Sequence, residues 1–190
     1  ILKKDNKLIG NNTDWFGFSM ALRVNNISVS GKEILVLGSG GAARAIVFAL
    51  KLAGAGNIRV FNRTPNRTLK LAGVVISPHW IEHLEEFIQP NSVIINCTPV
   101  GMFDNSSPML KKMFSKKQTI IDIIYTPLIT QFLKFGHQAG AKTLGGLDMF
   151  IFQAIQSLEF FDGYPVFLCH GTEVVPLFDH VGCGTSGFLC

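Results

Sequence analysis

The chain has 190 residues, of which 47% are hydrophobic and 16% are charged, and its formal net charge is +4 at pH 7. This length suits one well-buried α/β domain and is short for two domains of ordinary size. No run of about 18 apolar residues occurs, which excludes a membrane-spanning helix. The lysine pairs at 111–112 and 116–117 belong to no recognisable nucleic-acid-binding module. We therefore expect neither a membrane nor a nucleic acid as partner.

Short apolar runs rich in β-forming residues alternate along the chain with segments of helical periodicity. We predict strands near Ile34–Leu37, Ile58–Phe61, Val74–Ile76, Val93–Asn96, Ile120–Ile123 and Lys142–Leu144. We predict helices at Trp15–Val24, Ala42–Leu52, Pro65–Leu71, Ile81–Phe87, Pro108–Phe114, Ile129–Gln138 and Met149–Phe161. This alternation is typical of an α/β fold of the Rossmann-like class, with a doubly wound parallel sheet.

A glycine-rich segment lies between the first of these strands and an Ala-rich helix. Gly38 permits a tight turn, Gly40 lets the backbone approach a pyrophosphate, and Ala43 fills the close-packing position of the dinucleotide fingerprint. The helix N-terminus adds free N–H groups and the positive end of a dipole. The pattern predicts a phosphate cradle made of Gly38, Ser39, Gly40, Gly41, Ala42 and Ala43. Standing alone, the same pattern also fits an ordinary tight turn.

The residues after the next strand indicate which dinucleotide binds. A site for NAD is expected to have Asp or Glu there, to accept hydrogen bonds from the ribose hydroxyls. This chain has Asn62, Arg63 and Thr64, with Arg67 one helical step further on. A guanidinium can bond a 2′-phosphate through its planar fork, whereas a carboxylate would repel it. The segment therefore favours NADP, although solvated loop arginines would look the same.

Seven segments follow one another in an order that is far more specific than any of them alone. They are Gly10–Asp14 with Gly17, Gly38–Ala45, Asn62–Thr64 with Arg67, Asn96–Met102, Asp122–Pro127 with Thr130, Gly146–Gln153 and Phe161–Gly163. In this order, and without large gaps, they resemble the motifs of the shikimate dehydrogenase family. The resemblance implies reversible, NADP-dependent reduction of 3-dehydroshikimate to shikimate, in the biosynthesis of chorismate and the aromatic amino acids.

The resemblance also implies roles for individual residues. Asp14 would be the carboxylate of a catalytic Lys–Asp pair and would contact the substrate together with Tyr125 and Gln153. Along the cofactor, the resemblance places Thr98, Met102, Ile123 and Gly146. The residue types alone would favour plainer interpretations: a helix N-cap for Asp14, an aromatic at a strand end for Tyr125, and an amide at the edge of the core for Gln153.

The beginning of the chain departs from the family pattern. Family members start with a separate substrate domain that supplies paired serines and the catalytic lysine, and Lys3, Lys4 and Lys7 do not match the motif of that lysine. We therefore expect residues 1–25 to be a hinge segment with the Asn-Thr-Asp motif, and residues 26–163 to be an NADP-binding Rossmann domain. The expected partners are shikimate or 3-dehydroshikimate and the missing substrate domain, and a homodimer is left open.

Residues 164–190 match nothing in the family and form an apolar, Gly- and Cys-bearing tail of unknown role. Its Cys169, His170, His180, Cys183 and Cys190 fit no closed zinc pattern, so we expect no metal. Cys97 lies inside a family motif and is interpreted as a small buried filler, since no matching base can be assigned to it. The four cysteines form no evident disulfide framework, which favours a cytoplasmic protein.

Three other functions share some of these features. Glutamyl-tRNA reductases share the glycine turn and part of the Asn-Arg-Thr segment, but the segments at 122–127 and 146–153 argue against that class. A quinate/shikimate dehydrogenase paralogue fits the motifs equally well. A catalytically silent NADPH-binding module also fits, because the lysine and the serines are absent.

Overall fold

The computed structural model describes residues 1–62, 77–162, 167–170 and 173–176. Its strands are β1 Leu2–Lys4, β2 Lys7–Ile9, β3 Ile34–Leu37, β4 Ile58–Asn62, β5 Ser77–Trp80, β6 Val93–Asn96, β7 Thr119–Asp122, β8 Lys142–Leu144, β9 Phe167–His170 and β10 Glu173–Pro176. Its helices are α1 Asp14–Val24, α2 Gly41–Leu52, α3 Leu84–Phe87, α4 Gln131–Gln138 and α5 Leu147–Asp162, with single 3-10 turns at Ile81–His83 and Lys111–Met113.

Six strands form one parallel sheet in the order β5-β4-β3-β6-β7-β8. The chain runs from β3 outward to β4 and β5, and then returns to the other side of β3 to place β6, β7 and β8. The order of the strands therefore reverses between β3 and β6. In open α/β sheets, ligands bind outside the carboxyl ends of the strands at this reversal point. The structure confirms the predicted Rossmann-like, doubly wound architecture.

The sheet is buried on both faces, which explains why its central strands are continuous apolar runs. On one face, Ile34 and Val36 pack with residues of α1, α2 and α5, among them Phe18 and Ile46. On the other face, Leu35 and Leu37 pack with residues of α3 and α4, among them Leu84, Phe132 and Leu133. Alternate side chains of β3 thus belong to two core layers, one on each side of the sheet.

Several elements differ from the sequence prediction. The predicted helix Pro108–Phe114 is wrong, because only the 3-10 turn Lys111–Met113 forms and Leu110 is extended. α3 is a four-residue helix after a 3-10 turn, in place of a helix over 81–87. α1 begins at Asp14, with Thr13 as its N-cap residue, so Asp14 is the first helical residue and not the cap. The predicted strand 74–76 and helix 65–71 lie outside the described residues.

Two antiparallel hairpins were not predicted. β1 and β2 are joined by Asp5 and Asn6, both with positive φ, which is the backbone of the tight turns that suit a two-residue hairpin. β9 and β10 form a second hairpin within the tail segment. Among the described helices, none combines the length and the apolar character that crossing a membrane requires.

Candidate functional site

The turn after β3 is held against the loop after β6. Gly38 has φ +101°, and its amide donates to the carbonyl of Phe61 at 2.7 Å. A Cβ at Gly38 would lie 2.9 Å from the carbonyl oxygen of Cys97 and 3.0 Å from Cγ2 of Thr98. Only glycine combines this backbone angle with so close an approach. Gly38 therefore joins the glycine segment to the 97–98 loop across the point where the strand order reverses.

The N-terminus of α2 faces open space. Gly40 is the N-cap residue of α2, no side chain caps the helix, and its first turn has no acidic residue. A Cβ at Gly40 or at Gly41 would have nothing within 4 Å. The first amides of a helix have no partner within it and carry the positive end of its dipole. The segment that the sequence predicts as a phosphate cradle thus has the shape and polarity to accept an anion.

A cleft of about 360 Å³ opens beside this cradle. It is lined by Gly38, Ser39, Gly40, Phe61, Asn62, Cys97, Thr98, Pro99, Val100 and Pro108. On the β4 side, Nδ2 of Asn62 donates to Oγ of Ser39 at 2.5 Å, so the end of β4 is tied to the glycine turn. Arg63, Thr64 and Arg67 follow this point in the sequence and lie outside the described residues.

A buried polar network underlies the other side of the cleft. Asn96 is fully buried, and its Oδ1 accepts hydrogen bonds from the amide and the hydroxyl of Thr98 at 3.0 and 2.6 Å. Its Nδ2 donates to Oδ1 of Asp122 at 3.1 Å. Asp122 also accepts from the amide of Ile124 at 3.1 Å and from the hydroxyl of Thr130 at 2.7 Å. The network joins the loop after β6 to the loop after β7.

Burial governs the ionisation of the groups in this region. Asp122 has no exposed surface, and desolvation raises the pKa of its carboxyl to about 6, against the effect of its three hydrogen bonds. Desolvation raises the pKa of the Cys97 thiol as well, and the charge of Asp122 adds to that shift. Cys97 is therefore a neutral thiol at physiological pH. It is only partly buried and lines the cleft, so the predicted role of a buried filler does not describe it fully.

The loop after β7 is pressed against the start of α5. A Cβ at Gly146 would overlap the backbone carbonyl of Ile123, so any side chain at this position is excluded. The amide of Gly146 donates to the carbonyl of Ile124 at 3.2 Å. Met102 closes a turn by donating its amide to the carbonyl of Pro99 at 3.0 Å, beside the cleft. The residues predicted along the cofactor at 98, 102, 123 and 146 thus come from three loops at the carboxyl edge of the sheet.

Two of the predicted substrate residues, Asp14 and Gln153, belong to the helices α1 and α5, which cross each other. Gly17 allows this crossing, because a Cβ there would lie 2.5 Å from the carbonyl oxygen of Met149 and 2.8 Å from the amide nitrogen of Gln153. The hydroxyl of Thr13 donates to Oε1 of Gln153 at 3.3 Å and lies 3.0 Å from Oγ of Ser157. Asp14 follows Thr13 at the start of α1, partly exposed, and its amide donates to Oδ1 of Asn12 at 2.9 Å.

Tyr125 reaches the same helix from the loop after β7. Its ring stacks on that of Phe150, with centroids 4.4 Å apart and planes 21° apart. Phe150 precedes Gln153 by about one helical turn, so Tyr125 contacts the same half of α5 that bears Gln153. The side chains of Tyr125, Gln153 and Asp14 stay partly or largely exposed, as groups that bind a small polar molecule must be.

Sequence reasoning missed several residues of this site. Phe61 and Pro108 line the cleft, and Phe150 supports Tyr125. Asn96, Asp122 and Thr130 were quoted only as members of motifs, and their buried network was not foreseen. A signal was present, because polar residues at the carboxyl ends of two neighbouring apolar strands converge on one edge of a parallel sheet.

A family model described as shikimate / quinate 5-dehydrogenase matches residues 19–129 of this chain. The chain belongs to this family. The matched residues contain the glycine turn, the cleft and most of the buried network, whereas the Asn-Thr-Asp segment and α5 lie beyond the match. The family match and the cleft thus concern the same part of the chain.

Curated and solved members of the family resemble the chain over most of its length. The NADP(+) shikimate dehydrogenase of Caldicellulosiruptor bescii is 40% identical over 83% of this chain and 57% of its own length. The Thermus thermophilus shikimate 5-dehydrogenase, solved with NADP(H) and shikimate, is 36% identical over 86% of this chain and 61% of its own, with a TM-score of 0.74. The Corynebacterium glutamicum quinate dehydrogenase, solved with NAD, is 25% identical over 82% of this chain and 58% of its own, with a TM-score of 0.75. The chain thus spans less than two thirds of the length of these relatives.

Proposed function

We propose that the chain is the cofactor-binding part of an NADP-dependent shikimate dehydrogenase, which reduces 3-dehydroshikimate reversibly to shikimate. The observation that carries the proposal is the contact of Gly38 with Cys97 and Thr98, which places an uncapped helix N-terminus beside a cleft at the reversal point of the sheet. This is where a dinucleotide binds in folds of this class. The names of the curated relatives support the same reaction.

The cofactor is proposed to lie with its phosphates at the cradle of residues 38–43. The adenosine half would then extend toward Asn62, with Arg63, Thr64 and Arg67 at the 2′-phosphate. The nicotinamide half would extend the other way, toward Thr98, Met102, Ile123 and Gly146. When bound, the cofactor supplies the hydride of the reaction. The chain's own contribution is the cradle, the cleft walls and the exclusion of a side chain at position 146.

Asp14, Tyr125 and Gln153 are proposed to bind the substrate, with Asp14 also acting in catalysis. The hydrogen bond from Thr13, which precedes Asp14, to Gln153 and the stack of Tyr125 on Phe150 support this assignment. A carboxylate can hold a substrate hydroxyl and set the charge of a nearby lysine. The motif of the family's catalytic lysine does not occur in this chain. We therefore assign the general acid to a separate substrate domain.

An apolar face of α5 supports the proposal of such a domain. The side chains concerned are each at least 41% exposed and recur at helical spacing: Leu147, Phe150, Ile151, Leu158 and Phe161. Large exposed apolar patches mark interaction surfaces. Since the relatives are longer than this chain, we propose that the additional domain covers this face. A homodimer that uses the same face is the alternative, and a cytoplasmic location remains part of the proposal.

Two further functions fit the same site. The similarity to a quinate dehydrogenase makes a quinate/shikimate dehydrogenase paralogue a second candidate. A catalytically silent NADPH-binding module is the third. The first two differ in substrate, whereas the third differs from both in having no turnover.

Calorimetric titration of the chain with NADPH and with NADH tests the proposal. We expect NADPH to bind more tightly by about tenfold or more, which corresponds to about 1.4 kcal/mol. Arg63→Ala should weaken NADPH binding and leave NADH binding unchanged, because only NADPH has the 2′-phosphate. Equal affinity for both nucleotides would contradict the choice of cofactor. Absence of binding by a folded sample would contradict the proposed function as a whole.

Formation of NADPH absorbance from NADP and shikimate, with NAD and quinate in parallel, separates the candidates. Turnover with shikimate supports a shikimate dehydrogenase, and faster turnover with quinate supports the paralogue. Turnover with either substrate would exclude the silent module. Binding of NADPH without any turnover fits both the silent module and a cofactor-binding part whose general acid lies in a separate domain.

A further inference from the structure

Asp122 is a buried carboxylate without a cationic partner among the described residues. It has no exposed surface, and none of the salt bridges within the described ranges involves it. Its oxygens accept hydrogen bonds from Nδ2 of Asn96, the amide of Ile124 and the hydroxyl of Thr130. These donors are neutral, so they stabilise the ionised form without cancelling its charge. A buried negative charge that no cation balances acts over a longer range than one exposed to water.

The carboxylate lies beneath the part of the cleft that follows the reversal of the strand order. β7 neighbours β6, and the pair Asn96 and Asp122 is in register at the carboxyl ends of these strands. Asn96 also holds Thr98, which lines the cleft. A dinucleotide whose phosphates occupy the cradle at the end of β3 extends its other half over β6 and β7. That half contains the nicotinamide.

The field of Asp122 reaches the cleft wall. Its charge contributes to the raised pKa of the Cys97 thiol, and Cys97 lines the cleft. At pH 8 the carboxyl is ionised, since burial raises its pKa only to about 6. The geometry supports the same conclusion, because only the side chain of Asn96 lies between the carboxylate and Thr98 at the cleft wall. We therefore expect the charge to act on a charged group bound in the cleft.

We propose that Asp122 is a determinant of redox-state preference: its buried carboxylate favours the oxidised nicotinamide, whose ring is positively charged, over the reduced nicotinamide, whose ring is neutral. The inference rests on the proposed function, because it requires a nicotinamide dinucleotide in the cleft. The predicted quantity is the ratio of the affinities for the oxidised and the reduced dinucleotide, because Asp122 repels the phosphates equally in both. The residue acts through its charge and need not touch the cofactor.

The test compares dissociation constants of NADP and NADPH for the unmodified chain and for Asp122→Asn, by calorimetry at pH 8. We expect the variant to bind NADP more weakly relative to NADPH, with the ratio of the constants changed by about threefold to tenfold. Asn keeps the shape and an acceptor for Ile124 but removes the charge. Asp122→Ser removes the same charge with a smaller side chain and replaces Asp122→Asn if that variant does not fold.

Thr130→Val is the matched control. It removes one hydrogen bond to the same carboxylate and leaves the charge in place, so the ratio should stay as in the unmodified chain. An unchanged ratio in a folded, charge-free variant would overturn the inference. An equal change in Thr130→Val would also overturn it, since the effect would then come from damage to the network. If the unmodified chain bound neither nucleotide, the proposed function itself would fail. If it bound both and the ratio of the dissociation constants did not change in the variant, only the inference about Asp122 would fail.

Discussion

Replacing Gly38 by alanine tests whether the turn after β3 is shaped by the loop after β6. At φ +101° an L residue is strained, and the new Cβ would meet the backbone of Cys97 at 2.9 Å. The strained backbone costs roughly 1–2 kcal/mol, and the overlap with a backbone that cannot rotate away costs roughly 1–3 kcal/mol more. We expect a loss of about 3 kcal/mol in the free energy of unfolding.

Gly31 provides the matched control for this substitution. It also has positive φ, at +67°, but a Cβ there would have nothing within 4 Å. Gly31→Ala should therefore show only the backbone strain, about 1 kcal/mol after the lower entropy of the unfolded alanine chain is counted. The difference between the two variants isolates the contact with the 97–98 loop.

Urea unfolding followed by circular dichroism measures both variants against the unmodified chain. We expect Gly38→Ala to unfold at a clearly lower urea concentration than Gly31→Ala, with a similar dependence on denaturant. Calorimetry should also show weaker NADPH binding for Gly38→Ala, because the cradle must shift. Equal stability of the two variants would refute the reasoning, since it would mean that the 97–98 loop moves away at no cost.

Four further results are expected. Gly40→Ala should cost about 1 kcal/mol or less in urea unfolding, because Gly40 is the N-cap residue of α2. It should clearly weaken NADPH binding by calorimetry, because its Cβ enters the open space above the cradle, and unaltered binding would contradict the cradle. The pKa of Asp122 is about 6 in the folded chain, whereas the ordinary value for the unfolded chain is about 3.9. The folded state therefore holds this proton more tightly, and ionisation of Asp122 lowers the free energy of unfolding as pH rises from about 4 to 7, by up to about 3 kcal/mol. In urea unfolding at several pH values, Asp122→Asn should therefore gain stability relative to the unmodified chain as pH rises, and a constant difference would refute the shift. Gly17→Ala should lower the midpoint of thermal unfolding, because the new Cβ would force α1 away from α5. Gly10→Ala is the control and should leave the midpoint unchanged, because a Cβ at Gly10 would have no atom within 4 Å. Equal midpoints for the two variants would show that the helices adjust to the added Cβ. Thr130→Val should lower the free energy of unfolding by about 1–2 kcal/mol in urea. The threonine hydroxyl caps α4 by accepting from the amide of Leu133 and donates to Asp122. An unchanged free energy would mean that other groups replace these hydrogen bonds.

The strands of the central sheet could be predicted from the sequence because each follows from a local pattern. Ile34–Leu37, Val93–Asn96 and Lys142–Leu144 are strands with the predicted bounds. Each is a short apolar run bounded by turn residues, so propensity and burial point to the same structure. The helix predicted at 108–114 failed because its apolar residues pack as an irregular segment, where Ser107 bonds the carbonyl of Met109.

The site could be predicted only where a residue type has few alternatives. Glycines in the cradle are predictable because few other residues fit such a turn, and Gly38 shows why, with its positive φ and its close approach to Cys97. The stack of Tyr125 on Phe150 and the bond from Thr13 to Gln153 depend on how α5 packs across the sheet, which no local pattern contains. Pairing between residues far apart in the sequence is decided by tertiary packing, so it was not foreseeable from one sequence.

The contact of Gly38 with Cys97 and Thr98 joins positions about sixty residues apart in the sequence, and contacts of such separation are slow to form. During synthesis, β3 and α2 leave the ribosome well before β6, so the glycine turn initially has no surface against which to set its backbone. A completed cradle exists only once β6 has joined the sheet. We therefore expect the proposed nucleotide to stabilise the finished domain by mass action and to have no effect on the earlier steps of its assembly.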